Sequence, residues 1–126
     1  MKTLFAFIIV FLNSALGFGQ EAEFSLEQTV VKFPKTKEGV VLEHTFVFTN
    51  SGTSPLIISD YAVACKCTKV VLPKEPILPG KTGEIKITFD TEGKFYQQDR
   101  EVLLTMNTKK KVAKLRFKVF VIPKEE

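Results

Sequence analysis

Hydrophobic and polar residues alternate with a period of two along most of this chain. The clearest example runs from Gly83 to Asp90, where Ile85, Ile87 and Phe89 share one face and polar residues occupy the other. A period of two is typical of β-strands that bury one face. Alternation or a β-rich composition predicts strands at 29–33, 40–50, 56–64, 83–90, 102–106 and 113–122, with 21–28 as a polar lead-in or edge strand.

Turn-forming residues separate these segments, most clearly the run from Asn50 to Pro55 and the Pro79-Gly80 pair. No segment shows helical periodicity over the roughly ten residues that a helix needs. Short strands separated by turns are typical of an antiparallel β-sandwich. We therefore predict an all-β fold, a single antiparallel β-sandwich of about seven strands. Its core would rest on the chain's 12 phenylalanines and its β-branched residues.

The stretch from Leu56 to Asp90 organises the rest of the chain and contains both cysteines. It is predicted to form a strand that ends at Cys65-Lys66-Cys67, then a proline-rich crossing from Pro73 to Pro79, and then the strand at 83–90. The remaining strands would add on either side of it.

The N-terminus has the three parts of a cleavable secretory signal. Met1-Lys2 is positively charged, Leu4–Leu12 is an apolar run of nine residues, and mostly small residues follow up to Gly19. The apolar run is shorter than the roughly 20 residues of a membrane-spanning helix, and an uncleaved N-terminal anchor is the alternative. We predict that the signal peptide, residues 1–19, is removed, with the cut after Gly17 or Gly19.

Removal of the signal leaves residues 20–126, enough for one domain with a single core. No later apolar stretch is long enough for a membrane span, so the mature chain is predicted to be periplasmic or secreted. The formal net charge of +4 comes from lysines scattered among acids. Because nucleic-acid-binding proteins usually concentrate positive charge on one face, no nucleic-acid partner is expected.

Three pieces of the chain resemble one bacterial family. They are the Phe-x-Phe-x-Asn-x-Gly segment at Phe46–Gly52, the Cys-x-Cys-Thr corner at Cys65–Thr68, and the run from Pro79 to Asp90. The family is the one named domain of unknown function fifteen seventy-three. The resemblance implies an exported immunoglobulin-like module of a kind common in Bacteroidetes, related in fold to major-sperm-protein and pilus-chaperone sandwiches.

The chain departs from that family's pattern in two places. Lys66 stands where the family usually has glycine, which argues against a tight turn between the cysteines. The segment Phe95-Tyr96-Gln97-Gln98 replaces a turn rich in glycine and proline, and is predicted to form a loop of its own character. Because the family has no settled activity, the resemblance implies no catalytic residues.

Cys65 and Cys67 are the chain's only cysteines, and thiols in exported proteins tend to oxidise. In an extended strand their Cα atoms would lie about 6.5–7 Å apart, so a disulfide requires a bend at Lys66. Three interpretations stay open: a structural or redox-labile disulfide, two semi-buried thiols, or a soft-metal site. Copper suits paired thiolates, whereas zinc needs two further ligands, for which only His44 and carboxylates are available. No other cofactor is expected.

His44 is the only histidine, predicted on the same strand face as Phe46 and Phe48. A rim histidine with a satisfied hydrogen bond is the favoured interpretation, and a metal ligand or base is the weaker one. With one histidine and no suitably framed serine, a hydrolytic triad has no support. We therefore predict no catalytic residues and no enzymatic activity.

Four apolar side chains are candidates for an interaction surface. Phe95 and Tyr96 fall in the predicted loop, and Phe120 and Ile122 lie on the outward face of the last predicted strand. Exposed aromatics and apolar strand faces mark contact surfaces. The competing interpretation is that loop packing or the N-terminal segment buries them.

The sequence therefore favours an exported interaction or structural module, a monomer or weak oligomer that binds an unidentified protein partner. Binding would use a sheet face or an open edge strand. One alternative is a redox-labile or soft-metal function at Cys65 and Cys67. The other is chaperone-like binding of exported clients, which rests on fold analogy alone.

Overall fold

Nine strands build the part of the chain that the computed structural model describes, residues 20–125. The signal peptide predicted over residues 1–19 lies outside the described residues. In the described part, no helix is long and apolar enough to cross a membrane. The strands are β1 (Phe24–Ser25), β2 (Val30–Lys32), β3 (Thr36–Lys37), β4 (Val41–Asn50), β5 (Ile58–Val63), β6 (Thr68–Val71), β7 (Thr82–Asp90), β8 (Tyr96–Met106) and β9 (Val112–Ile122).

The strands form two sheets, with the orders β1-β4-β7-β6 and β2-β9-β8-β5, and β3 also pairs with β9. The all-β sandwich predicted from the alternation is confirmed. Two short parallel pairings, β2 with β9 and β3 with β9, join the otherwise antiparallel ladders. They arise because the N-terminal segment pairs with β4 at β1 and then crosses to the other sheet. Pro34, which has no N–H to donate, lies between β2 and β3.

Two local predictions need correction. Thr68–Val71, for which no element was predicted, is strand β6, and its four residues are too few for a visible period. The loop predicted at Phe95–Gln98 is wrong, because β8 already begins at Tyr96 and pairs with Val121 of β9. The polar run after Tyr96 hid this strand, since both of its faces carry hydrophilic side chains there.

The core lies between the inner faces of the two sheets, as the alternation predicted. Phe89 of β7 and Phe117 of β9 pack across the sandwich with ring centroids 5.1 Å apart. Phe48 is fully buried against Phe24, with ring centroids 5.0 Å apart. Gly83 lies opposite Phe48 in β7, and a Cβ there would stand 2.6 Å from the Phe48 ring. A larger residue at this point of the strand would therefore displace the Phe48 ring.

Asn50 joins three separate segments at one end of the sandwich. Its side chain is fully buried and makes four hydrogen bonds. The Oδ1 atom accepts from the N–H groups of Glu23 at 3.2 Å and Gly52 at 3.0 Å. The Nδ2 atom donates to the carbonyls of Ser54 and Ile77, both at 2.8 Å. This buried amide therefore has all its hydrogen-bonding groups satisfied.

At the opposite end of the sandwich, the carboxylate of Glu38 holds separate segments together. Glu38 accepts hydrogen bonds from the backbone N–H of Lys124 at 3.0 Å and from that of Gly93 at 3.0 Å. These two bonds, that of Lys124 first, lower the pKa of the Glu38 carboxyl from its usual 4.5. The side chain thereby ties the start of β4 to the turn before β8 and to the C-terminal segment.

This pKa shift makes the contribution of Glu38 to stability depend on pH. Because the folded pKa lies below the unfolded one, the contribution is complete above the unfolded value of 4.5 and is lost as the pH falls through the folded value. We expect Glu38→Gln to be less stable than the wild type near pH 7, and the difference to shrink towards about pH 3. Urea unfolding at both pH values measures it. Glu84→Gln, at a side chain with no hydrogen bond in the described part, is the control, and an unchanged Glu38→Gln difference at low pH would contradict the assignment.

Candidate functional site

The cysteine corner connects the two sheets, because β5 belongs to one sheet and β6 to the other. In the structure the sulfur atoms of Cys65 and Cys67 are joined in a disulfide, with Cα atoms 5.2 Å apart. The chain turns at Lys66, and the N–H of Thr68 donates to the carbonyl of Cys65 at 3.1 Å. The prediction that Lys66 disfavours a tight turn between the cysteines is wrong. A lysine adopts this turn without strain, since Lys66 is not among the described residues with positive φ.

His44 stands apart from the cysteines. Its ring packs edge-on against Phe46, with centroids 4.6 Å apart, and against Phe33 at 6.3 Å. It lies on β4, level with Ile87 of β7 and Val70 of β6, so two strand spacings, about 10 Å, separate it from β6. Among residues 20–125, no group of three or more His, Cys, Asp and Glu side chains is placed to hold a metal ion. His44 is therefore a packed rim residue in this structure.

A cavity of about 230 Å³ opens beside the cysteine corner. It lies where β5 ends, level with Val102, so that no described strand pairs with the first half of β8 on that side. We call it the corner cavity. Its polar and sulfur-containing lining residues are Cys65, Thr68, Asp99, Arg100, Glu101 and Arg116.

The charges around the corner cavity are mostly paired. Arg116 donates to both carboxylate oxygens of Asp99, at 2.7 and 2.8 Å. This pairing lowers the pKa of Asp99 and raises that of Arg116, with the hydrogen bond as the main cause in each case. Glu101 Oε1 lies 3.6 Å from Lys114 Nζ. Arg100 forms no salt bridge within residues 20–125.

The four predicted contact residues lie near one another at the end of the β8–β9 ribbon. We call Phe95, Tyr96, Phe120 and Ile122 the aromatic surface. Their exposed fractions are 51%, 61%, 37% and 42%, so neither a loop nor the N-terminal segment buries them. The rings of Tyr96 and Phe120 lie 6.0 Å apart, and Lys35 Nζ stands 5.7 Å from the Phe120 ring centroid.

The sequence reasoning brought out the cysteines, the histidine and the aromatic surface, but it missed Arg100 and Thr68 as cavity residues. The signal for Arg100 was present. Val102, Leu104 and Met106 point inward, and continuing that period backward puts Arg100 on the same inner face. An arginine at an inward position is unusual and marks a place worth testing.

The chain belongs to the family described as protein of unknown function (DUF1573), which it matches over residues 24–121. The family expected from the sequence motifs is thereby confirmed. No curated protein matches the chain.

Solved structures share the fold. A protein of unknown function from Porphyromonas gingivalis W83 aligns with a TM-score of 0.72 at 16% identity, over 84% of this chain and 50% of that one. The chain therefore spans half the length of that protein. PapD-like domain 7 of human CEP192, an ASH/PapD-like domain, aligns with a TM-score of 0.57 at 14% identity, over 89% of this chain and 92% of that domain.

The E. coli chaperone DraB aligns with a TM-score of 0.51 at 15% identity, over 82% of this chain and 56% of the chaperone. Proteases and glycoside hydrolases also match, and this chain covers between 14% and 32% of each. At such low identity these likenesses establish an immunoglobulin-like, PapD-like sandwich and nothing about activity.

The disulfide at the corner is expected to add little to stability. Because it closes a ring of only three residues, the loss of unfolded-state entropy accounts for at most about 2 kcal/mol. We expect Cys65→Ser with Cys67→Ser to unfold at a guanidinium concentration only slightly below that of the wild type. Intact mass without reductant should be lower by two hydrogens than after reduction. Two free thiols carrying copper or zinc would support the soft-metal alternative, and a stability loss above about 3 kcal/mol would contradict the entropy argument.

Proposed function

We propose that this protein is an exported, non-enzymatic module that binds a partner protein through the aromatic surface. The observation that carries the proposal is the exposure of Phe95 and Tyr96, both more than half exposed, beside the Phe120 ring. Aromatic side chains dominate the energetics of protein interfaces because each buries a large area at a small cost in side-chain entropy. The membership in a family without assigned chemistry fits such a role.

The causes of the shifted pKa values support the part of the proposal that assigns no enzymatic activity. The four groups with shifted pKa values are Glu38, Asp99, Arg116 and Lys124. Each is explained by a hydrogen bond between exposed elements of the fold, which is the behaviour of structural ion pairs.

Export is proposed from the signal pattern at residues 1–19. N-terminal sequencing of the protein from cell fractions tests it. Mature chains beginning at Phe18 or Gln20 outside the cytoplasm are expected. A chain that keeps Met1 and stays in the cytoplasm would overturn the proposal.

Paired variants test the aromatic surface. We expect Tyr96→Ser with Phe120→Ser to abolish a complex that the wild type forms in the exported fraction, as seen by size-exclusion chromatography. Val47→Ser with Val71→Ser is the matched control, because these valines are 55% and 60% exposed on the outer face of the other sheet. Loss of the complex in the control alone would move the interface to that sheet.

A second candidate function, chaperone-like capture of exported clients, is favoured by an open strand edge. β4 pairs with β7 from Val41 to Thr49, but β1 covers its other side only at Thr49 and Asn50. In an antiparallel ladder alternate residues point their N–H and C=O groups to opposite sides, so Val41, Glu43, Thr45 and Val47 point theirs to the open side. An extended segment of a client adds to such an edge by main-chain hydrogen bonds.

A proline substitution in β4 distinguishes chaperone-like strand addition from binding through the aromatic surface. Val47→Pro removes one donor on the open side, where proline is tolerated in an edge strand. Loss of client binding with the fold retained supports strand addition. Binding that survives Val47→Pro but not Tyr96→Ser with Phe120→Ser supports the aromatic surface.

A further inference from the structure

We propose that the corner cavity is a binding site for a carboxylate group, held by Arg100 and by the hydroxyl of Thr68. The inference goes beyond the proposed function, because the cavity lies at the free side of β8 and does not include the aromatic surface. It assigns a ligand chemistry to a part of the molecule that the interaction proposal leaves unused.

Arg100 is a cation without a counter-ion among residues 20–125. It sits at an inward position of β8, level with buried Phe117 of β9, and its guanidinium carbon stands 5.7 Å from the Phe89 ring centroid. Nη2 donates to Gln98 Oε1 at 2.7 Å, whereas buried Nε has no hydrogen-bond partner within residues 20–125. Leaving a donor of a charged group buried and unpaired is costly, so a ligand that pairs with this guanidinium has a marked advantage.

The neighbouring charges fix the charge of the ligand. Asp99 is occupied by Arg116 through two hydrogen bonds, and Glu101 lies near Lys114. The cavity therefore offers one uncompensated positive charge, while two carboxylates stand close by. A monoanion balances this single charge, whereas a dianion such as hydrogen phosphate would leave one excess negative charge beside the two carboxylates. The planar guanidinium also matches the geometry of a carboxylate.

Thr68 supplies a second donor. It is a buried residue at the start of β6, and in the described part of the chain the one hydrogen-bonding contact of its hydroxyl is Cys67 Sγ, at 4.0 Å. That distance is too long for a strong hydrogen bond, so the hydroxyl is free to donate to a ligand oxygen. Cys65 of the disulfide forms part of the cavity lining beside it.

The cavity volume and the free side of β8 leave room for the group that bears the carboxylate. A volume of about 230 Å³ holds a short acid or the end of a peptide chain. Because β5 ends level with Val102, an extended peptide is able to lie beside Gln97–Glu101. The two sources, a free small acid and a peptide, share the same chemistry.

Nuclear magnetic resonance on the full chain, as purified from cells that express the whole sequence, tests the site. The probes are sodium acetate, inorganic phosphate, an N-acetylated alanine tetrapeptide with a free C-terminal carboxylate, and the same peptide as its C-terminal amide. We expect saturable shifts of the Arg100 Nε–H and Thr68 N–H signals with acetate and with the acid peptide, and none with the amide. Equal shifts from acid and amide peptides, or shifts from phosphate at lower concentration than from acetate, would overturn the proposal.

The strength of binding distinguishes the two sources. An acid peptide that binds at least tenfold more tightly than acetate identifies an extended peptide as the ligand, and equal affinities identify a small acid. Either result supports the carboxylate site. No saturable shift with either probe overturns it.

Variants assign the binding to Arg100. Arg100→Gln should weaken binding of the acid at least tenfold, and Arg100→Lys, which keeps the charge without the fork, should weaken it less. Lys69→Gln is the control, because this exposed lysine follows Thr68 and its loss changes the net charge equally. Tyr96→Ser with Phe120→Ser should leave the affinity within twofold, which separates this site from the aromatic surface. Unchanged affinity in Arg100→Gln would refute the assignment.

Discussion

Replacing Asn50 by alanine is expected to lower the free energy of unfolding by about 3–5 kcal/mol. The substitution leaves the N–H groups of Glu23 and Gly52 and the carbonyl of Ser54 without this partner, whereas the Ile77 carbonyl keeps its bond from the Leu56 N–H. Each buried group without a partner costs about 1–3 kcal/mol, and partial relaxation recovers some of the sum. A loss of this size is a large share of the about 5–15 kcal/mol by which domains are stable. Urea unfolding followed by circular dichroism measures it.

Asn107 provides the control. It makes two similar bonds, to the Ile57 N–H at 2.8 Å and the Pro55 carbonyl at 2.9 Å, but it is exposed. Because water replaces the amide there, Asn107→Ala should cost about 1 kcal/mol. Losses for the two variants that agree within about 0.5 kcal/mol would show that burial of Asn50 does not govern its contribution.

Phe117→Ala is expected to cost about 3–5 kcal/mol, since it removes a fully buried ring that joins the two sheets. Phe117 packs against Phe89 at 5.1 Å and Phe33 at 6.1 Å between ring centroids. Phe120→Ala, three residues later on the opposite face of β9, should cost less than about 1 kcal/mol. Denaturant unfolding of both variants makes the comparison.

A second substitution at Phe117 keeps the prediction testable if Phe117→Ala does not fold. Phe117→Leu keeps most of the apolar volume and should cost about 1–2 kcal/mol. A larger loss for Phe120→Ala than for Phe117→Leu would mean that the inner and outer faces of β9 are assigned the wrong way round.

Alternation predicted the fold well wherever a strand buries one face. The inward set of β9, with Leu115, Phe117 and Val119, was read directly from the sequence. Where the pattern fails, the reason is physical. Strand β6 is too short to show a period, and the polar start of β8 is a strand because of its partner β9, which local sequence does not encode.

The candidate site was only partly predictable. Spacing placed Cys65 and Cys67 together, but the choice between thiols and disulfide depends on the turn at Lys66, which composition alone does not fix. The corner cavity needs the end of β5, the start of β6 and the first half of β8 at once. These segments are separated along the chain, so their meeting is a property of the fold.

Site-specific photo-crosslinking in the living cell is the sharpest test of whether the aromatic surface binds a protein partner. A photoreactive amino acid would replace Tyr96 in one strain and Glu84, on the outer face of the other sheet, in a second. We expect an adduct of defined mass at position 96, absent at position 84 and lost when Phe120→Ser is added. Adducts at position 84 and none at position 96 would contradict it.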